Sequence, residues 1–200
     1  MTGVTLHTLL PVGLMVAMGG GMIWRSEWLR RTQGVNPYRL VSDDSPMGEI
    51  GRWYKMAGLI TTLYVIGRLF LPLDGLVGWI HAASVPGVFW AGTIIAAGGI
   101  AFALTAQATM STSWRIGIPT DEPGALVDRG PYAISRNPFF LGTAVYQIGL
   151  TLMMPSWLML ATSLLMAACV NIQVRMEEAF LEAHIGEAYK AYKAKVRRWI

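Results

Sequence analysis

Three runs of the chain, Val4 to Trp24, Trp53 to Leu73 and Pro86 to Met110, are each apolar over the roughly 20 residues that a helix needs to cross a bilayer core about 30 Å thick. Runs of this kind leave few folds open. Backbone N–H and C=O groups find no water inside lipid, and a helix satisfies them within one segment. A fourth apolar region, Phe139 to Val174, is too long for one span and holds Met154-Pro155-Ser156 near its middle. Pro155 has no N–H to donate and biases its predecessor away from helix, which predicts a tight helical hairpin. The expected fold is an all-α integral membrane protein of about five transmembrane helices, the last two forming that hairpin. Composition agrees, since 54% of the 200 residues are hydrophobic and only 14% charged.

Basic residues collect in cytoplasmic loops, so their placement tests the segments independently. Arg25 to Lys55 flank the first two spans, Arg115, Arg129 and Arg136 follow the third, and Arg175 to Arg198 follow the hairpin. With five segments these regions share one face, which puts the N-terminus outside and the C-terminus in the cytoplasm, in a cell inner membrane. Arg68 alone falls elsewhere, near the outer end of the second span, where it is expected to snorkel to the interface. The net charge of +4 then needs no nucleic acid as partner and reflects a cytoplasmic rim facing anionic lipid. The N-terminal run lacks a basic leader and is followed by positive charge, which predicts an uncleaved span.

Residues Thr32 to Gly51 and Ser111 to Asp128 are rich in turn formers and read as cytoplasmic loops. Ala96-Ala97-Gly98-Gly99, Ala101, Ala103 and Ala106 supply small residues for close helix packing in lipid. Asp74-Gly75 opens a short outer connection with an interfacial turn carrying Trp79 and His81. Cys169 lies in an apolar run and is expected to be a buried, inert thiol; it excludes an intramolecular disulfide. His7, His81 and His184 are scattered, and no metal site is expected. After the hairpin, Arg175 to Arg198 mixes charge with Phe180, Leu181, Tyr189, Tyr192 and Val196, which reads as an amphipathic element on the cytoplasmic face, broken at Gly186.

The residues suited to chemistry stand at the two ends of the hairpin. Gly130-Pro131-Tyr132-Ala133-Ile134-Ser135-Arg136-Asn137-Pro138 precedes it and Glu177-Glu178 follows it, so folding back brings the two ends to the same side. Pro138 suits the first turn of a helix, whose free N–H groups, with Arg136 and Asn137, form a corner for an anion. Glu177 and Glu178 can accept hydrogen bonds from a diol or an amine, or pair with a cation. Tyr132, Phe139, Phe140, Tyr189 and Tyr192 add aromatic surface. The plainer alternative is that these charges only mark the membrane interface and pair along the helix surface.

The order of these residues resembles the C-terminal half of the isoprenylcysteine carboxyl methyltransferase and phospholipid methyltransferase superfamily. Gly130-Pro131-Tyr132, then Arg136-Asn137-Pro138-Phe139-Phe140-Leu141-Gly142, an apolar hairpin, and Glu177-Glu178, Leu181, Gly186, Tyr189 and Tyr192 follow that family's pattern of motifs over about residues 111 to 197. The resemblance implies an integral membrane enzyme using S-adenosylmethionine. It implies a cofactor site made of Gly124, Ala125, Leu126 and Val127, of Tyr132, of Asn137, Pro138, Phe139 and Phe140, and of Glu177, Glu178 and Tyr189. Trp114 and Gly117 resemble a further cofactor-loop element upstream. Residues 1–200 then form one membrane domain, with three spans and a cytoplasmic loop (25–52) in 1–110, and the cofactor loop, hairpin and C-terminal segment in 111–200.

Three departures bear on the acceptor. Asn137 replaces the usual histidine and does not ionise. Phe140 replaces a tyrosine and lacks its hydroxyl. The family's substrate-side arginine aligns with Gln173, with Arg175 two residues on, so Arg136 and Arg175 are the expected catalytic arginines. The expected reaction is methyl transfer to a lipid-like or isoprenoid acceptor of the isoprenylcysteine carboxylate type. Transfer to a phospholipid amine, or a non-enzymatic transport or scaffold role, are the alternatives.

Overall fold

The computed structural model describes residues 5–34, 46–111 and 126–200. Six helices account for most of them: α1 (Leu6–Gln33), α2 (Pro46–Gly67), α3 (Pro86–Met110), α4 (Pro138–Met153), α5 (Trp157–Ile185) and α6 (Glu187–Lys195). Helices α1, α3 and α5 are long and apolar enough to cross a membrane, and α4 is a shorter apolar helix of 16 residues. The all-α membrane fold expected from the sequence is what the chain adopts.

Several helix boundaries differ from the apolar runs. Helix α1 continues past Trp24 to Gln33, because Glu27 ties Arg30 and Arg31 at one-turn spacing, at 2.7 and 2.6 Å, and ends on Gly34 in the left-handed region at φ 64°. Helix α2 begins at Pro46 rather than Trp53, so with α1 reaching Gln33 the expected loop 25–52 is helical at both ends, and α2 stops at Gly67 rather than Leu73. Beyond it Arg68 pairs within the chain. It turns back onto Asp74, with Nε donating to Oδ1 at 2.8 Å and Nη2 to Oδ2 at 3.1 Å, while Tyr64 donates its hydroxyl to the same carboxylate.

Helices α3 and α4 meet backbone to backbone. Gly92 and Gly99 on one and Gly142 and Gly149 on the other repeat every seven residues, so one stripe of each helix carries no side chain. A Cβ at Gly142 would stand 2.6 Å from the Ala103 nitrogen, and one at Gly92 2.7 Å from the Gly149 carbonyl oxygen. Ala96, Ala103 and Ala106 are buried on this side of α3, whereas Ala97, Gly98 and Ala101 face outward. Small residues thus serve packing, as expected.

Helices α4 and α5 form the hairpin, with the turn at Met154-Pro155-Ser156. The turn is braced by the α2–α3 connection: Ile80 donates its N–H to the Pro155 carbonyl at 2.8 Å and Trp157 donates to Gly78 at 3.1 Å. Between the two arms, Gln147 and Thr151 reach Ser163 at 3.1 and 2.8 Å. Tyr64, Phe89, Leu150, Met153, Met154 and Met159 fill the core at the turn end. Cys169 is buried, as expected. At the opposite end, where α4 begins and α5 turns polar, Arg136, Glu178 and Arg198 come together.

Candidate functional site

Helix α5 carries an 18-residue apolar window of mean hydropathy 1.7, and its sequence turns polar from Arg175 on. Its last turns therefore project beyond the membrane-spanning stretch, level with the start of α4. Gly130 at φ 60° and the 3-10 turn Gly130–Ala133 bring the chain into α4, and Pro138 takes the first helical position. The two ends of the hairpin meet here.

Arg136 grips Glu178 with two parallel bonds, Nε to Oε1 and Nη2 to Oε2, both 3.1 Å. Its Nη1 donates to the carbonyls of Val196 at 2.8 Å and Lys193 at 3.3 Å. The anion received at the α4 entrance is thus the chain's own carboxylate. Asn137 donates from Nδ2 to Glu178 Oε1 and to the Arg198 carbonyl, each at 3.2 Å. Arg198 closes the other side of the same carboxylate, its Nη2 2.8 Å from Oε2. Burial opposes the charge on Glu178, but Arg198, Arg136 and Asn137 together hold its carboxyl below the usual carboxylate range.

Glu177 has the opposite surroundings. It is half-buried and makes no hydrogen bond or ion pair among the described residues, although an arginine pair lies one residue away. Burial, reinforced by the neighbouring charge of Glu178, pushes its carboxyl up to about 7. Tyr132 and Tyr189 face it, both buried, and their hydroxyls are raised by burial first and then by the glutamates. Neither hydroxyl has a hydrogen-bond partner among the described residues. Tyr192, by contrast, donates to the Tyr132 carbonyl at 2.7 Å and fixes α6 against the 3-10 turn. Adjacent glutamates on one helix point about 100° apart, which allows one to be locked and the other free.

The other expected site residues are spread over α4, α5 and the chain before the 3-10 turn. Phe139 and Phe140 contact edge to face with ring centroids 5.9 Å apart and are half-buried. Leu126 borders an open cleft of about 480 Å³ that Asp128, Ala188, Tyr192 and Val196 also line, and Val127 follows it in the chain, half-buried. Arg175 is exposed and has no partner among the described residues. Trp114, Gly117, Gly124 and Ala125 lie outside the described residues. The sequence reading missed Arg198 and Ser135, whose hydroxyl donates to the Arg198 carbonyl at 3.1 Å and accepts from the Asn137 N–H at 3.1 Å. No linear signal marks them, since Arg198 is one of several basic tail residues and Ser135 one member of the polar run before α4.

Buried ion pairs joining the ends of an apolar hairpin, with an unpaired carboxylate among aromatic hydroxyls, define a membrane protein with a built polar site at one end of its bundle. Residues 88–188, from the first turn of α3 into α6, match the phospholipid methyltransferase family model. The chain belongs to that family, which makes it a membrane methyltransferase acting on a lipid-like acceptor. No curated protein matches it.

Proposed function

We propose that the chain transfers a methyl group from S-adenosylmethionine to an amine-bearing lipid at the cytoplasmic membrane face. The observation that carries this reading is the contrast between the paired glutamates. Glu178 is spent on Arg136, Asn137 and Arg198, whereas Glu177 is an open carboxylate beside two tyrosine hydroxyls, all three without a hydrogen-bond partner among the described residues. Such a set fits a ribose diol and an amino group, which donate hydrogen bonds, better than it fits an anion.

Glu177, Tyr132 and Tyr189 would hold the cofactor's polar groups, with Phe139 and Phe140 as aromatic walls and Leu126 and Val127 beside them. Trp114, Gly117, Gly124 and Ala125 belong to the same proposed set. When bound, the cofactor supplies an electrophilic methyl on a sulfonium centre. The protein's part is position: the locked ends of the hairpin hold Glu177 and Tyr132 in fixed relation, and the surrounding apolar helices exclude water. Glu178, Asn137 and Pro138 brace this frame.

The amine acceptor is favoured over a carboxylate because four of the five Arg136 N–H groups are already bonded within the chain. An isoprenoid carboxylate is the second reading, and the exposed Arg175, without a partner among the described residues, is the observation in its favour. The basic residues around the site support the cytoplasmic face. Calorimetric titration with S-adenosylmethionine tests the proposal: saturable binding by the parent, weakened at least tenfold in Glu177→Gln, is expected. Well-folded protein with no saturable binding would overturn it.

A further inference from the structure

The C-terminal strap, Val196 to Ile200, is fastened across the start of α4 by an unusual number of bonds. Arg136 donates its backbone N–H to the Arg197 carbonyl at 2.9 Å and its Nη1 to the Val196 carbonyl at 2.8 Å. Ser135 and Asn137 both donate to the Arg198 carbonyl, at 3.1 and 3.2 Å. With its backbone held this way, Arg198 can aim Nε and Nη2 at both oxygens of Glu178, at 2.8 to 3.2 Å. The Arg198 side chain is 30% exposed and Glu178 only 5%.

From this geometry we infer that Arg198 is a positioning residue of the cofactor site: it completes the lock on Glu178 and so leaves Glu177 as the glutamate that faces the ligand. The inference rests on the reading of Glu177 as a cofactor ligand. Arg136 alone supplies one positive charge to two adjacent carboxylates buried at the same corner. Arg198 supplies the second, from the C-terminal strap. Without it the charge of Glu178 acts on Glu177 less compensated. The titratable groups facing Glu177 are Glu178 from its own helix, Tyr132 from the turn before α4 and Tyr189 from α6. Among them Arg198 hydrogen-bonds Glu178 alone and acts on Tyr189 only through a weaker electrostatic interaction, so its main effect passes through Glu178.

The test uses the full chain in bilayer discs, titrated calorimetrically with S-adenosylmethionine across pH 6 to about 8.5, a range that brackets the Glu177 titration. Arg198→Lys keeps the charge and Arg198→Gln keeps donors without it. The Gln variant is expected to bind about tenfold more weakly at neutral pH, and the pH at which binding is half lost on acidification is expected to rise by about one. The Lys variant is expected to keep the parent's pH midpoint. A role confined to pinning the strap would weaken both variants equally at every pH and would overturn the inference, as would a Gln variant matching the parent. Thermal unfolding of each variant identifies any that has lost its fold; if Gln unfolds, the Glu178→Gln background decides instead, where Arg198→Lys and Arg198→Ala must bind alike. Binding by the parent with unchanged variants sinks this inference alone, whereas no binding by the parent sinks the proposed function with it.

Discussion

Arg136 and Glu178, 42 residues apart in the chain, are joined by a bidentate ion pair that closes the open end of the α4–α5 hairpin. Their side chains are 9% and 5% exposed. Two charges taken this far from water are held only because each is also bonded to other groups, and removing one partner strands the other. Arg136→Ala is therefore expected to cost about 3–5 kcal/mol of stability. Arg136→Lys is expected to recover little of it, because an ammonium does not reproduce the planar fork. Thermal unfolding in detergent or discs measures both.

Acid is expected to loosen the same corner. The folded state holds the Glu178 carboxyl below its ordinary range, so its stabilising contribution is present in full above the unfolded carboxylate value and is lost as pH falls toward the folded one. A melting-temperature profile below about pH 5 should steepen for the parent and flatten in Glu178→Gln.

Glu177 behaves in the opposite sense. Its folded carboxyl is raised to about 7, so between the ordinary Glu value of 4.5 and that point the folded state holds the extra proton, and stability falls as pH rises through the window. Glu177→Gln is expected to stabilise the protein at pH 8 by on the order of 1–3 kcal/mol while weakening cofactor binding. A ligand carboxylate and a structural one are separated by that pairing of effects. In the parent, cofactor affinity should fall as pH drops below about 7, because the protonated acid loses acceptor capacity.

The backbone contact between α3 and α4 leaves no room for a side chain. Gly142→Leu or Gly92→Leu is expected to abolish folded protein, and Gly142→Ala to destabilise by about 1–3 kcal/mol. Gly98→Ala, on the outward side of α3 where a Cβ meets nothing, is expected to be neutral. Size-exclusion profile and unfolding temperature distinguish the three.

The hairpin and its polar ends were legible in the sequence because apolar length, Pro155 and the spacing from Arg136 to Glu177-Glu178 are linear features. The ends of α1 and α2 were not, since hydropathy changes at Trp24 while the helix is carried on by Glu27 with Arg30 and Arg31. Nor could the sequence say which glutamate is locked. That depends on the rotation of α5 about its axis, which is set by packing against α2 and α4. Arg198 stayed hidden for a related reason: in the sequence it is one of several basic tail residues, and only the fold brings it to Glu178.

Methyl transfer itself is the most direct measurement. Purified protein in discs of mixed phospholipid, incubated with methyl-labelled S-adenosylmethionine, should place label in the lipid extract, mostly on amine-bearing lipid, and Glu177→Gln should reduce it at least tenfold. Folded protein that binds the cofactor yet leaves the lipid extract unlabelled would contradict the account.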